Sequence, residues 1–169
     1  MTDIFHLPPD FKIISGGQTG ADSAGLDWAI ANNVFHGGWC PMGRRSEDGR
    51  ISGDYVLAET PTKAYLQRTE WNVRDSDATL IFTMDDKLDG GSKRTADFAA
   101  KLKKPWLHFR PGVHPKFIAR FLAQNKVAVL NIAGRRASVA PEVHRFVTDS
   151  LSASLVPAGR VDQGLTPVG

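Results

Sequence analysis

Ile14-Ser15-Gly16-Gly17-Gln18-Thr19-Gly20-Ala21-Asp22 follows directly on an apolar run, residues 11–14, and passes without a break into a helical pattern. A strand that enters a glycine-rich turn and leaves as a helix is the layout of an anion-binding turn. Glycines let the backbone approach a ligand with no Cβ in the way, and the first helical turn offers unpaired N–H groups and the positive end of its dipole. The loop is not GxGxxG, and no Walker lysine follows its last glycine, which points to generic anion recognition instead of hydride transfer or P-loop ATP hydrolysis. Gly16, Gly17 and Gly20 also suit a tight strand-to-helix turn with no ligand, and the stretch alone leaves both readings open.

Outward from this turn, apolar runs alternate with helical patterns. Residues 11–15 read as a strand and 21–32 as a helix, with Leu26 and Ile30 at i, i+4 and Asn33 as its stop. Residues 36–63 form a long polar connection with a short strand at 38–40; loops of that length are usually functional or disordered, and Arg44, Arg45 and Arg50 favour function. Helices follow at 65–74 and 92–103, from Pro115 through Leu122, and from Pro141 to about Leu151, with strands at 79–83, 106–109 and 127–132. Residues 1–155 read as one domain and 156–169 as a disordered tail. The alternation predicts an α/β fold: a Rossmann-like, doubly wound parallel sheet in a single domain, covered on both faces through right-handed βαβ units. Ligands bind such sheets at the carboxyl ends of the strands, which here carry the polar loops 15–22, 83–95 and 131–138.

The chain has 169 residues, 41% of them hydrophobic, enough for one compact domain with a sizeable core. A single cysteine, Cys40, excludes an internal disulfide framework and suits a reducing cytoplasm. The N-terminus lacks the basic and apolar regions of a signal peptide, and no apolar run approaches a membrane span. The net charge is +3, but the basic residues are scattered among acids; this favours a small anionic ligand over nucleic acid.

The second loop repeats the chemistry of the first. Asp89-Gly90-Gly91-Ser92-Lys93-Arg94-Thr95 sets two glycines and a hydroxyl before a helix, so it reads either as an anion site or as an ordinary N-cap after a flexible turn. Between the two loops, Arg68 and Asn72 share a helix face, while Glu70 suits equally an i, i+4 ion pair with Arg74 and a ligand contact. Cys40 reads as a small buried hydrophobe or as a soft-metal ligand near the arginines. The five histidines show no zinc spacing, and no Ser-His-Asp, HExxH or paired-carboxylate signature stands out.

Together with Gly38-Trp39-Cys40-Pro41, Gly43-Arg44-Arg45, Glu47-Asp48-Gly49, the segment Arg68-Thr69-Glu70-Trp71-Asn72-Val73-Arg74-Asp75-Ser76-Asp77, Gly90-Gly91-Ser92 and Lys104-Pro105-Trp106, the opening motif resembles the molybdenum cofactor carrier protein family. The resemblance covers residues 11–150, several motifs occurring in order. It implies a circularly permuted Rossmann-like fold, related to the cytokinin-activating and DNA-processing nucleotide-binding families and assembled as a homotetramer. It also implies that the protein binds and protects molybdenum cofactor, a phosphorylated molybdopterin, for delivery to a recipient molybdoenzyme. Carried over by position, Gly16, Gly17, Gln18, Thr19, Gly20, Arg68, Glu70, Asn72, Gly90, Gly91 and Ser92 line the pocket. The rival reading is a nucleoside monophosphate phosphoribohydrolase with Glu70 and Arg68 as acid-base and anchor, although the PGGxGT loop of that enzyme family is absent; a third is a nucleotide-sensing module.

Overall fold

A computed structural model describes residues 2–159. The first elements are β1 (Phe5–His6), β2 (Lys12–Ile14), α1 (Ala21–Ala31), β3 (Phe35–Gly37) and four two-residue strands, β4 (Trp39–Cys40), β5 (Arg45–Ser46), β6 (Gly49–Arg50) and β7 (Ala58–Glu59). Then come α2 (Tyr65–Arg74), β8 (Ala78–Phe82), α3 (Gly90–Lys101), β9 (Trp106–Phe109), α4 (Lys116–Gln124), β10 (Val129–Gly134), α5 (Val143–Ser154) and β11 (Leu155–Val156). The main sheet has five parallel strands in the order β3-β2-β10-β8-β9.

The doubly wound α/β architecture expected from the alternation is therefore present. Crossovers leave β2 toward one edge through α1 and β8 toward the other through α3, so helices cover both faces, with α1, α4 and α5 on one and α2 and α3 on the other. All five residues of β8 are buried, as a strand covered on both sides must be. Its Leu80 and Phe82, with Ile13, Leu130 and Ile132, meet Trp28, Ile118, Val147 and Leu151 in the large apolar core on the α1 side. Helix α1 approaches the sheet through small residues: a Cβ on Gly25 would lie 2.8 Å from the Ile132 Cβ. The opposite face of the sheet is polar near its middle, where Asn131 donates to the Thr79 hydroxyl at 3.2 Å.

Three differences from the sequence reading have local causes. The strand β3 (35–37) runs into the start of the connection expected to be polar and irregular, while the strand expected at 38–40 is β4, which leaves the main sheet and pairs with β7. The connection itself is built around one side chain: the Arg44 guanidinium donates to the carbonyls of Ser52 (2.6 Å), Tyr55 (2.9 Å), Ile51 (3.3 Å) and Leu57 (3.4 Å). Arg44 thus holds backbone, contrary to its expected place among functional arginines. Val156, expected to begin a tail, pairs with β1 through β11; the rest of that expectation from 160 onward lies outside the described residues.

Candidate functional site

The strand order reverses around β10, whose neighbours β2 and β8 feed crossovers in opposite directions, and this is where a doubly wound sheet opens a crevice at the carboxyl ends. A cavity of about 720 Å³ lies there. Its floor is the end of β10 from Asn131 to Gly134; its walls are the glycine turn after β2, the start of α2, the N-terminus of α3 and the loop after β10.

The two glycine loops do different work. In the first, the protein itself takes up the backbone donors: Gly17 N–H reaches the Ser15 hydroxyl at 3.3 Å, Gln18 N–H the Asp22 carboxylate at 3.2 Å, Thr19 N–H the Gln18 Oε1 at 3.0 Å, and Ala21 N–H the Arg135 carbonyl at 3.0 Å. Gly20 has φ +82, and a Cβ there would sit 2.4 Å from that same Arg135 carbonyl, so the turn is glycine because it is wedged against the loop after β10. In the second loop, the N–H groups of Gly90, Gly91 and Ser92 have no partner among the described residues, and all three residues line the cavity. Asp89 stands at the N-cap, but its carboxylate is engaged by Arg135, which also donates to the Lys87 carbonyl at 3.1 Å. The backbone donors left free between the two loops are therefore those at the start of α3, a position whose N–H groups and helix dipole suit an anion.

Arg68 reaches in from α2. It is 7% exposed, donates through Nη1 to the Gly16 carbonyl at 2.6 Å and lies 4.0 Å from Asp22. Burial pushes the Asp22 carboxyl above the usual carboxylate range, and Arg68 with the N–H groups of Gln18 and Gly16 offsets this only in part. Burial likewise lowers Arg68, and Asp22 partly restores it. Tyr65 opens α2 on the cavity wall, with the guanidinium groups of Arg45, Arg68 and Arg136 at 4.9, 5.2 and 5.9 Å from its ring centroid. Burial raises its phenol, but hydrogen bonding from Arg45 and the arginine charges prevail and its pKa falls below the ordinary value.

Gln18 is the unsatisfied member of this wall. Its Oε1 accepts two backbone N–H groups, from Thr19 at 3.0 Å and Glu47 at 2.9 Å, which fixes the orientation of the amide. Its Nε2 is left buried with no hydrogen-bond partner, near enough to the Tyr65 phenol to help lower its pKa but without a bond of normal geometry.

Of the residues expected from sequence, Gly16, Gln18, Arg68, Asn72, Gly90, Gly91 and Ser92 line this one cavity. Gly17, Thr19, Gly20 and Glu70 are not in its lining. Gly17 is roofed by Leu57 and Ile51; the Thr19 hydroxyl donates to Glu47 and accepts from the Ala137 N–H at 3.1 Å. Asn72 spends its amide on both backbone groups of Trp39, each at 2.9 Å. Asp22, Tyr65 and Arg136 were not singled out as site residues in the sequence. For Asp22 the signal was its position in the first turn of the helix that the glycine loop opens.

Residues 13–155 match the model of the circularly permutated YpsA SLOG family. The chain belongs to that family. This SLOG-family chain is also similar to the "Putative molybdenum carrier protein" of Syntrophus aciditrophicus SB, whose crystal structure was solved at 1.45 Å: the TM-score is 0.82 and the identity 45%, over 86% of this chain and 95% of that one. A search of curated proteins found no match. No group of three or more His, Cys, Asp or Glu side chains placed to hold a metal occurs among the described residues, and Cys40 is fully buried outside the cavity lining. The donor set instead fits a phosphorylated organic ligand: helix N–H groups and guanidiniums for the anion, an amide and a carboxylate for a ring. No helix among the described residues is long and apolar enough to cross a membrane.

Proposed function

We propose that this protein is a carrier that binds and protects phosphorylated molybdopterin. The observation that carries the reading is that Gly90, Gly91 and Ser92, whose N–H groups have no partner among the described residues, line a cavity of about 720 Å³ in a chain 45% identical to a protein described as a molybdenum carrier. The start of α3 holds the phosphate, and Arg68, Arg136 and Tyr65 line the wall beside the rest of the ligand. Residues on this wall bind and orient the cargo and limit water around it; the metal keeps the ligands it brings. Assembly as a homotetramer and delivery to a molybdoenzyme accompany this reading. Titration with cofactor released from a molybdoenzyme tests it: saturable binding is expected, and none contradicts it.

A second reading, a nucleoside monophosphate phosphoribohydrolase, draws support from the buried Asp22, a raised carboxyl beside Arg68 on the cavity wall. In this version Asp22 replaces Glu70 as the acid-base group. Free base released from AMP above blank would favour it; no release removes it.

A further inference from the structure

The cavity is an anion site that nevertheless presents a carboxylate. Asp22 lines it, and among the described residues its carboxylate accepts the Gln18 N–H on Oδ2 at 3.2 Å, with the Gly16 N–H and Arg68 also close enough to favour its charged form. A carboxylate repels phosphate, so this part of the wall selects something other than the ligand's anionic group. Beside it, the Gln18 amide is locked by two backbone donors on Oε1 and holds an unused donor, Nε2, 5% of the residue being exposed. A buried donor with no acceptor costs about 1–3 kcal/mol. A ligand that supplies the acceptor recovers that cost.

Resting on the reading of this cavity as a ligand site, we infer that Asp22 and Gln18 together recognise the 2-amino-4-oxopyrimidine edge of a ring. The Asp22 carboxylate accepts from the ring N–H and the exocyclic 2-amino group, and Gln18 Nε2 donates to the 4-oxo oxygen. Gln18 and Asp22 both line the cavity, and a donor from one with an acceptor from the other complements that edge, which pterins and guanine share. Adenine offers the reverse pattern and is rejected because Asp22 would face a ring nitrogen lone pair. Burial raises the Asp22 carboxyl, so a ligand that donates to it stabilises its charged form.

The test is a pair of ligand comparisons on the full chain, each differing at the 2-position alone: 6-hydroxymethylpterin against 6-hydroxymethyllumazine, and GMP against IMP. Each 2-amino ligand is expected to bind roughly tenfold or more tightly than its partner, the loss of a hydrogen bond to a charged group. Asp22→Asn, checked for folding by circular dichroism, is expected to bring each ratio to about one. Should that variant not fold, the wild-type ratios decide alone. Ratios near one in the wild type, ratios kept in the folded variant, or no binding of any of the four overturn the inference. Discrimination between GMP and IMP without binding of molybdopterin would leave the edge intact and remove the carrier reading; saturable molybdopterin binding without either ratio would do the reverse. A ratio in the pterin pair alone assigns the edge to pterins, and in the nucleotide pair alone to guanine.

Discussion

The Arg68 guanidinium occupies the space a side chain at Gly16 would need: a Cβ on Gly16 would lie 2.6 Å from Arg68 Nη1, the nitrogen that donates to the Gly16 carbonyl. The glycine is there to admit an arginine, and the arginine to close the turn over α1.

Gly16→Ala should therefore act through Arg68. The methyl displaces a buried charged group from its carbonyl, at a cost of about 1–3 kcal/mol read by denaturant unfolding, and weakens ligand binding in the folded fraction. A variant as stable as the wild type with the Arg68 contact intact would contradict this packing.

Asp22 gives a pH signature with a definite sign. Its carboxyl is pushed up in the folded protein, so between its unfolded and folded pKa the native state holds the extra proton and stability falls as pH rises. The side chain of Asp22→Asn does not titrate, so the variant should gain stability relative to the wild type as pH rises through and above the ordinary carboxylate range, read from melting temperatures of the two proteins across pH. A relative stability that falls over that range would mean that Arg68 outweighs burial.

Much of the fold was legible because burial writes itself into sequence: the apolar run of β8 and the helical spacing of α2 and α4 follow from which faces must leave water. The strand β3 was not, because Phe-His-Gly carries no apolar run and among the described residues its only strand partner is β2. At the site, the glycine loops announced a polar crevice, but not which backbone donors the protein consumes itself. That depends on Ser15, Asp22 and Gln18 turning back onto the first loop, contacts set by tertiary geometry. Asn72 and Arg44 show the same limit: each is a plausible ligand contact by type and is instead spent on backbone.

Arg44→Ala should loosen the connection after β4. Losing a guanidinium shared by four carbonyls costs about 2 kcal/mol and opens residues 45–57 to limited proteolysis ahead of the rest of the chain. Cleavage spread evenly along the chain would argue against Arg44 as the holder of this segment.

Just past the end of α4, Lys126 has φ +49, its N–H on the Ala123 carbonyl and the next N–H, that of Val127, on Leu122. A left-handed residue at this position is normally glycine. Lys126→Gly removes about 1 kcal/mol of backbone strain and should raise the melting temperature by a few degrees, while a fall would indicate that the lysine side chain contributes more than its strain costs.

The most direct test of the account compares titration of wild type and Gly91→Asp with cofactor released from a molybdoenzyme. Nothing lies within 4 Å of a Cβ at Gly91, and an acid in the first turn of α3 suits the helix dipole, so the variant should fold at least as stably as the wild type. Its carboxylate stands where the account places the phosphate. The account predicts saturable binding by the wild type and a loss of roughly tenfold or more in the variant. Equal affinity in the two proteins, or no binding by either, would contradict it.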